Sequence, residues 1–151
     1  MVTLGKHGEY YLLSGVPDVY RFLGALKCIL KADWGIYVEG VEDKETSDLL
    51  ESVNSRELSV TICRDFVYPK RNVFVVEASE KTVEQLQILA KKVFSVDFIQ
   101  SLVVFDDSRV LIEAYGLGCG DVVLSKFLGE SSIEKLQAEC GGMIARYDTK
   151  E

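Results

Sequence analysis

Histidine is nearly missing from this sequence: His7 is the single imidazole in 151 residues. A Ser-His or Cys-His nucleophile would depend on that one side chain, in a glycine-flanked segment at the chain end, where order is commonly poor. A histidine-rich metal site is excluded by count. Cysteine is sparse and scattered. Cys28, Cys63, Cys119 and Cys140 form no CxxC pair, so nothing seeds a structural zinc site or a dithiol redox motif, and free buried thiols are expected.

Proline occurs twice and no proline- or serine-rich linker divides the chain, which predicts a single globular domain over 1–151. Apolar runs extend for only a few residues, far short of the roughly 20 needed to cross a bilayer as a helix. Met1 to His7 lack the apolar core of a signal peptide, so a cytoplasmic protein with no membrane partner is expected. Clustered positive charge is also missing. Lys plus Arg total 17 against 24 Asp plus Glu, a net charge of −7. A duplex-binding surface needs a cationic footprint to displace counterions, and the small Lys70-Arg71 cluster reads as a solvated turn, so nucleic acid is not expected as a partner. A basic protein partner suits the charge.

What is present is a good supply of core-forming residues, 48% apolar, in alternating strand-like and helix-like patterns. Residues 9–14 read as a strand rich in aromatic and branched side chains. Pro17 at a first helical position, with Asp18 near it, opens a helix whose Val19, Phe22, Leu23, Leu26, Ile29 and Leu30 form one stripe. Trp34 to Gly40 alternates as a strand, with Trp34, Ile36 and Val38 on one face and Tyr37 and Glu39 on the other. Asp43 caps a helix over 44–53. Strands follow at 58–63 and 73–76, the latter without alternation and so expected to be covered on both faces. A helix over about 80–93 precedes a hairpin of 101–106 and 109–115, turned by Asp106-Asp107-Ser108. Ser131 and Glu134 have capping-box spacing for a helix ending near Cys140, where Gly141 and Gly142 stop it, and 143–147 closes as a strand. The pattern predicts an α/β fold, with α+β as the variant: one mixed β-sheet covered by about four helices.

Four features carry candidate chemistry. Gly116, Gly118 and Gly120 with Asp121 follow a strand. If 122–128 were a helix, its N-terminus and the glycine loop would suit an anion. The spacing is GxGxG, no Gly-Lys-Ser/Thr follows, and Asp121 brings a carboxylate to where an anion would sit. As strongly, Val122-Val123-Leu124 reads as a strand and the glycines as a hairpin loop. Asp106, Asp107 and Glu113 can hold Mg²⁺ or share acid and base roles, but Asp-Asp-Ser is also what a turn requires. Cys28 projects away from the apolar stripe toward Arg21, Gly24 and Lys31, with packing under a second layer the favoured reading. Ile88 points into a polar helix face. With Trp34 or Tyr37 beside it on the surface, it would form an aromatic-anchored protein-contact patch.

No convergent catalytic set, cofactor motif or metal-ligand pattern emerges. The expected function is therefore a non-enzymatic, acidic protein-binding module of inhibitor, immunity or adaptor type. Two alternatives stand behind it. One is a small-molecule or nucleotide-binding domain using the 116–121 loop, with or without a carboxylate-held metal; the other is a subunit of a homo-oligomer.

Overall fold

The computed structural model describes residues 8–15, 18–53, 73–92, 99–115 and 121–149. Within them, seven strands form one sheet and four α-helices lie against it. The elements are β1 (Gly8–Ser14), α1 (Val19–Ile29), β2 (Gly35–Glu39), α2 (Lys44–Val53), β3 (Phe74–Glu77), α3 (Glu80–Ala90), β4 (Ser101–Phe105), β5 (Val110–Tyr115), β6 (Val122–Ser125), α4 (Glu130–Cys140) and β7 (Met143–Thr149), with a 3₁₀ turn at Lys126–Leu128 before α4. The spatial order is β3-β2-β4-β5-β6-β1-β7.

The α/β alternation and the helical cover are as the sequence predicts. The pairing is more uniform than a mixed sheet. All six pairings between described strands are antiparallel. The reason is visible at β4, β5 and β6, which follow one another as hairpins, while β1 inserts antiparallel between β6 and β7. Between β4 and β5 the register shifts at Val104/Phe105, so Leu111 is an extra residue, a β-bulge in the second strand.

The helices share one face of the sheet. Helix α1 turns Val19, Phe22, Leu23, Ala25, Leu26 and Ile29 inward, against Ile36 and Val38 of β2, Leu102 and Val104 of β4, and Ile112 and Ala114 of β5. Each large side chain buried this way is worth about 1.5–3 kcal/mol relative to exposure. This helix begins at Val19. Asp18 is its N-cap, accepting from the Arg21 backbone N–H at 2.6 Å, where the sequence placed it inside the first turn; Pro17 lies outside the described residues. Leu30 is the C-cap and only half-buried, because its backbone has already left the helix at φ −56 ψ 142.

Residues of β2 are buried on both faces: Ile36 and Val38 belong to the core beneath the helices, and on the second face Tyr37 forms a small cluster with Val103 and Phe105. Strand β3, expected to be covered on both faces, is the outermost described strand on its side: Phe74 and Val76 are buried on the helix side, while Val73 and Val75 are half-buried against Tyr37, Val103 and Phe105 on the other, so the second face is covered only in part. The strand expected at 58–63 and the turn at 68–72 lie outside the described residues.

Helix α4 also starts differently. Its N-cap is Gly129, at φ 85, which offers no side chain, and Ser131 sits inside the helix, so the capping box is not formed. At the other end, Gly141 adopts the left-handed conformation at φ 73 and closes the helix as predicted. Among the described residues, no helix is long and apolar enough to cross a membrane.

Candidate functional site

Helices α2 and α3 are set side by side by the strands that feed them, and a groove runs between them. Each start is fixed by a side chain. Asp43 Oδ2 accepts from the Thr46 backbone N–H at 2.9 Å and from the Thr46 hydroxyl at 2.7 Å. Those bonds from Thr46, side chain first, hold the Asp43 carboxyl below the usual carboxylate range. Ser79 performs the same service for α3, its hydroxyl oxygen accepting from the Thr82 N–H at 3.1 Å while donating to Thr82 Oγ1 at 2.9 Å. Just upstream, the Ala78 N–H donates to the Trp34 carbonyl at 3.0 Å, tying the end of β3 to the start of β2.

The groove has two compartments that meet at Leu49 and Gln85. The wider one, about 520 Å³, is polar: Ser52, Glu77, Ser79, Lys81 and Thr82 line it above Leu49 and Val53. The narrower one, about 220 Å³, is apolar at its base, with Leu49, Ile88 and Leu89, and carries Glu45 and Lys92 at its rim. These two charges approach to 3.7 Å across the groove, bridging the helices. Both are well exposed, so the pair contributes little to stability. Ile88 is 55% exposed. On α3 the side chains of Val83, Leu86 and Leu89 take the buried face, and at helical spacing Ile88 falls away from it.

The expected aromatic partners of Ile88 are elsewhere. Trp34 is 3% exposed and belongs to the core beneath the helices. Tyr37 is 1% exposed on the opposite face of the sheet, its hydroxyl donating to Glu39 Oε1 at 2.7 Å. The contact feature built around Ile88 is therefore aliphatic. Leu49 and Leu89 supply the rest of it. Their signal was present: Leu49 and Ile88 are apolar residues on two consecutive amphipathic helices, neither taken wholly into the core.

The glycine feature resolves in part. Gly116, Gly118 and Gly120 lie outside the described residues. Asp121 is exposed and immediately precedes β6. The helix considered over 122–128 does not form, because Val122, Val123 and Leu124 are all buried in a strand paired to both β1 and β5. Asp121 is thus not a helix cap, and the helix N-terminus required by an anion site at that position is missing.

Of the hairpin's acidic residues, Asp106 organises the turn, and Asp107 beside it is exposed. Asp106 Oδ1 accepts from the backbone N–H groups of Ser108 and Arg109 at 3.0 and 2.8 Å, and Oδ2 accepts from Arg109 Nη2 at 2.9 Å. Burial acts to raise its pKa, but these bonds and the Arg109 charge outweigh it and the net direction is downward. Glu113 is buried on the sheet face away from the helices, in register with Val103 and Val123. Among the described residues, no group of three or more His, Cys, Asp or Glu side chains is placed to hold a metal ion.

Cys28 is exposed, contrary to the expected cover, and donates to the Gly24 carbonyl at 3.4 Å. Close packing does occur on that side, but one turn earlier, where a side chain added at Gly24 would meet Gln87 of α3 at 2.8 Å. Cys140 is buried, and burial pushes its thiol up to about 11, despite the opposing influence of Arg21. His7, Cys63 and Cys119 lie outside the described residues. No protein-family model, curated protein or solved structure matches the chain.

Proposed function

We infer that this chain is a non-enzymatic protein-binding module, and that the α2–α3 groove is its contact face. The partner is a protein segment that inserts one aliphatic side chain beside Ile88 and Leu49 and presents basic residues around it. The observation that carries this reading is the 55% exposure of Ile88 at the mouth of an apolar compartment rimmed by charge. Charge supports the choice of partner. The groove lining itself balances Glu45 and Glu77 against Lys81 and Lys92, but the whole molecule carries −7. An acidic field of this kind accelerates encounter with a basic partner, while the apolar contact governs its lifetime. The cytoplasm is the setting that suits an exposed thiol at Cys28 and a second free thiol at Cys140.

A photo-crosslinking residue placed at position 88 in the native cell tests this, with the same residue at Phe127, another exposed apolar position, as the control. Position 88 is expected to give adducts that map to one partner segment, net basic and with an aliphatic residue at the crosslink. Equal labelling from both positions, or adducts on segments of unrelated chemistry, overturns the proposal.

A further inference from the structure

Glu45 and Lys92 are the two charged residues lining the apolar compartment, and they come from opposite helix ends. Glu45 stands in the first turn of α2. Lys92 lies just past α3, its backbone N–H donating to the Leu89 carbonyl at 2.9 Å. At the other end of the groove, Ser52 and Val53 from the end of α2 meet Ser79 and Thr82 from the start of α3, so the two helices run antiparallel. Each charge therefore sits where its own helix dipole favours it, a carboxylate at an N-terminus and an ammonium at a C-terminus. Neither depends on the other. Their 3.7 Å approach is longer than the roughly 2.7–2.9 Å of a charge-assisted hydrogen bond, and the side chains are 66% and 61% exposed. The neighbouring Lys44–Asp48 pair on α2 closes to 2.8 Å. Between these two ion pairs of α2, the loose one is at the mouth of the apolar compartment.

We propose that Glu45 is the acceptor for a cation on the partner segment and that Lys92 is its built-in competitor, displaced when the segment docks. The inference rests on the groove being the contact face, and it adds which charge reads the partner. Lys92 is the side chain that moves. Its ammonium rides on a flexible four-carbon stem beyond the last residue of α3, whereas the shorter Glu45 is held in a helical turn. Net charge decides between the two ions of the pair as a docking point. An anion seeking Lys92 approaches against the field of a molecule carrying −7, and a cation seeking Glu45 approaches with it. The spacing follows from the helices. Glu45 stands one turn from Leu49, and Lys92 one turn from Ile88, so the rim charges lie about 5–6 Å from the apolar base. That span matches Lys or Arg roughly two residues from the aliphatic anchor in an extended segment, or about one turn from it in a helical one.

A displayed library of random linear peptides, selected on the immobilised full chain and counter-selected on Ile88→Asp, supplies groove-bound peptides as the probe. These peptides are expected to carry an aliphatic residue with Lys or Arg at the stated spacing. Calorimetry then compares proteins that differ by one charge, all with unchanged circular dichroism because the pair is exposed. Glu45→Gln is expected to weaken binding about fivefold, the upper range for a solvent-accessible pair. Lys92→Gln is expected to tighten it by roughly threefold, and the gain should vanish for a peptide whose basic residue is replaced by glutamine. Lys81→Gln makes the same change of net charge at the polar compartment and should give a smaller gain, which separates competition for Glu45 from the general field. If no peptide is lost on Ile88→Asp, the contact face and this inference both fall. Groove peptides lacking a basic residue at that spacing overturn the competition alone. So does a Glu45→Gln protein that binds as wild type, or a Lys92→Gln gain no larger than that of Lys81→Gln.

Discussion

Replacing Asp43 by alanine probes the element that forms one wall of the groove. Two bonds end on Asp43 Oδ2, from the Thr46 N–H and the Thr46 hydroxyl. Losing the first leaves α2 without its cap, which typically costs about 1 kcal/mol. The second matters because Thr46 is fully buried. Its hydroxyl would lose the acceptor it has, a penalty of about 1–3 kcal/mol where water cannot replace it. Relaxation of the first turn lets some water in, so the two do not simply add, and about 2 kcal/mol is the expected loss. At roughly 2–4 °C per kcal/mol for a domain of this size, the melting temperature falls by about 4–8 °C. Asp43→Asn keeps an acceptor oxygen and should lose less than half as much. The folded-state pKa of Asp43 lies below its ordinary value. Its contribution is therefore fully present above the unfolded-state pKa and is lost as pH falls through the folded one, so the gap between wild type and the alanine variant should close in acid. Urea titrations of the three proteins at neutral and acidic pH measure this. An alanine variant as stable as the asparagine one, or a gap that widens in acid, refutes the reasoning.

Other positions give sharper contrasts. Gly142→Ala places a methyl group 2.5 Å from the Ser14 carbonyl oxygen, backbone that cannot yield without parting β1 from β7; overpacking of that kind costs about 1–3 kcal/mol and should lower the melting temperature. Gly24→Ala meets only the end of the Gln87 side chain and gains up to about 1 kcal/mol in helix preference, so it should melt at or above wild type. Peptide-mapped alkylation of the native protein should modify Cys28 promptly and leave Cys140 protected until unfolding; equal rates would contradict its burial. Asp106→Ala removes the acceptor that organises the β4–β5 turn and should destabilise the fold at neutral pH by more than Asp106→Asn, and the deficit of each variant relative to wild type should shrink in acid, because the lowered Asp106 pKa makes wild type lose stability as the carboxyl is protonated.

Much of this architecture is legible in the sequence because it is set by local chemistry. The Asp43 cap, the α1 stripe, the Asp106 turn and the Gly141 stop each depend on residues a few positions apart. What was not legible depends on neighbours distant along the chain. Tyr37 has the alternation of a half-exposed strand, yet it is buried in a cluster with Val103 and Phe105 of β4, residues distant along the chain that share its second face. Val73 to Val76 read as a run covered on both faces, and the second face, that of Val73 and Val75, is covered only in part, by the Tyr37 cluster. Ser131 matched a capping pattern in isolation, yet the Lys126–Leu128 turn brings Gly129 to the cap position first. At the groove, Ile88 could be singled out as an apolar residue on a polar face. Its neighbours could not, because Leu49 and Ile88 meet only when β2 and β3 bring two helices together.

The central claim is that Ile88 anchors a protein contact, and affinity measured by calorimetry against the partner segment crosslinked at position 88 tests it most directly. Ile88→Asp should weaken binding at least about tenfold, roughly 1.4 kcal/mol, while Phe127→Asp leaves it unchanged. Equal affinities for wild type and Ile88→Asp, in proteins with matching melting curves, would contradict the account.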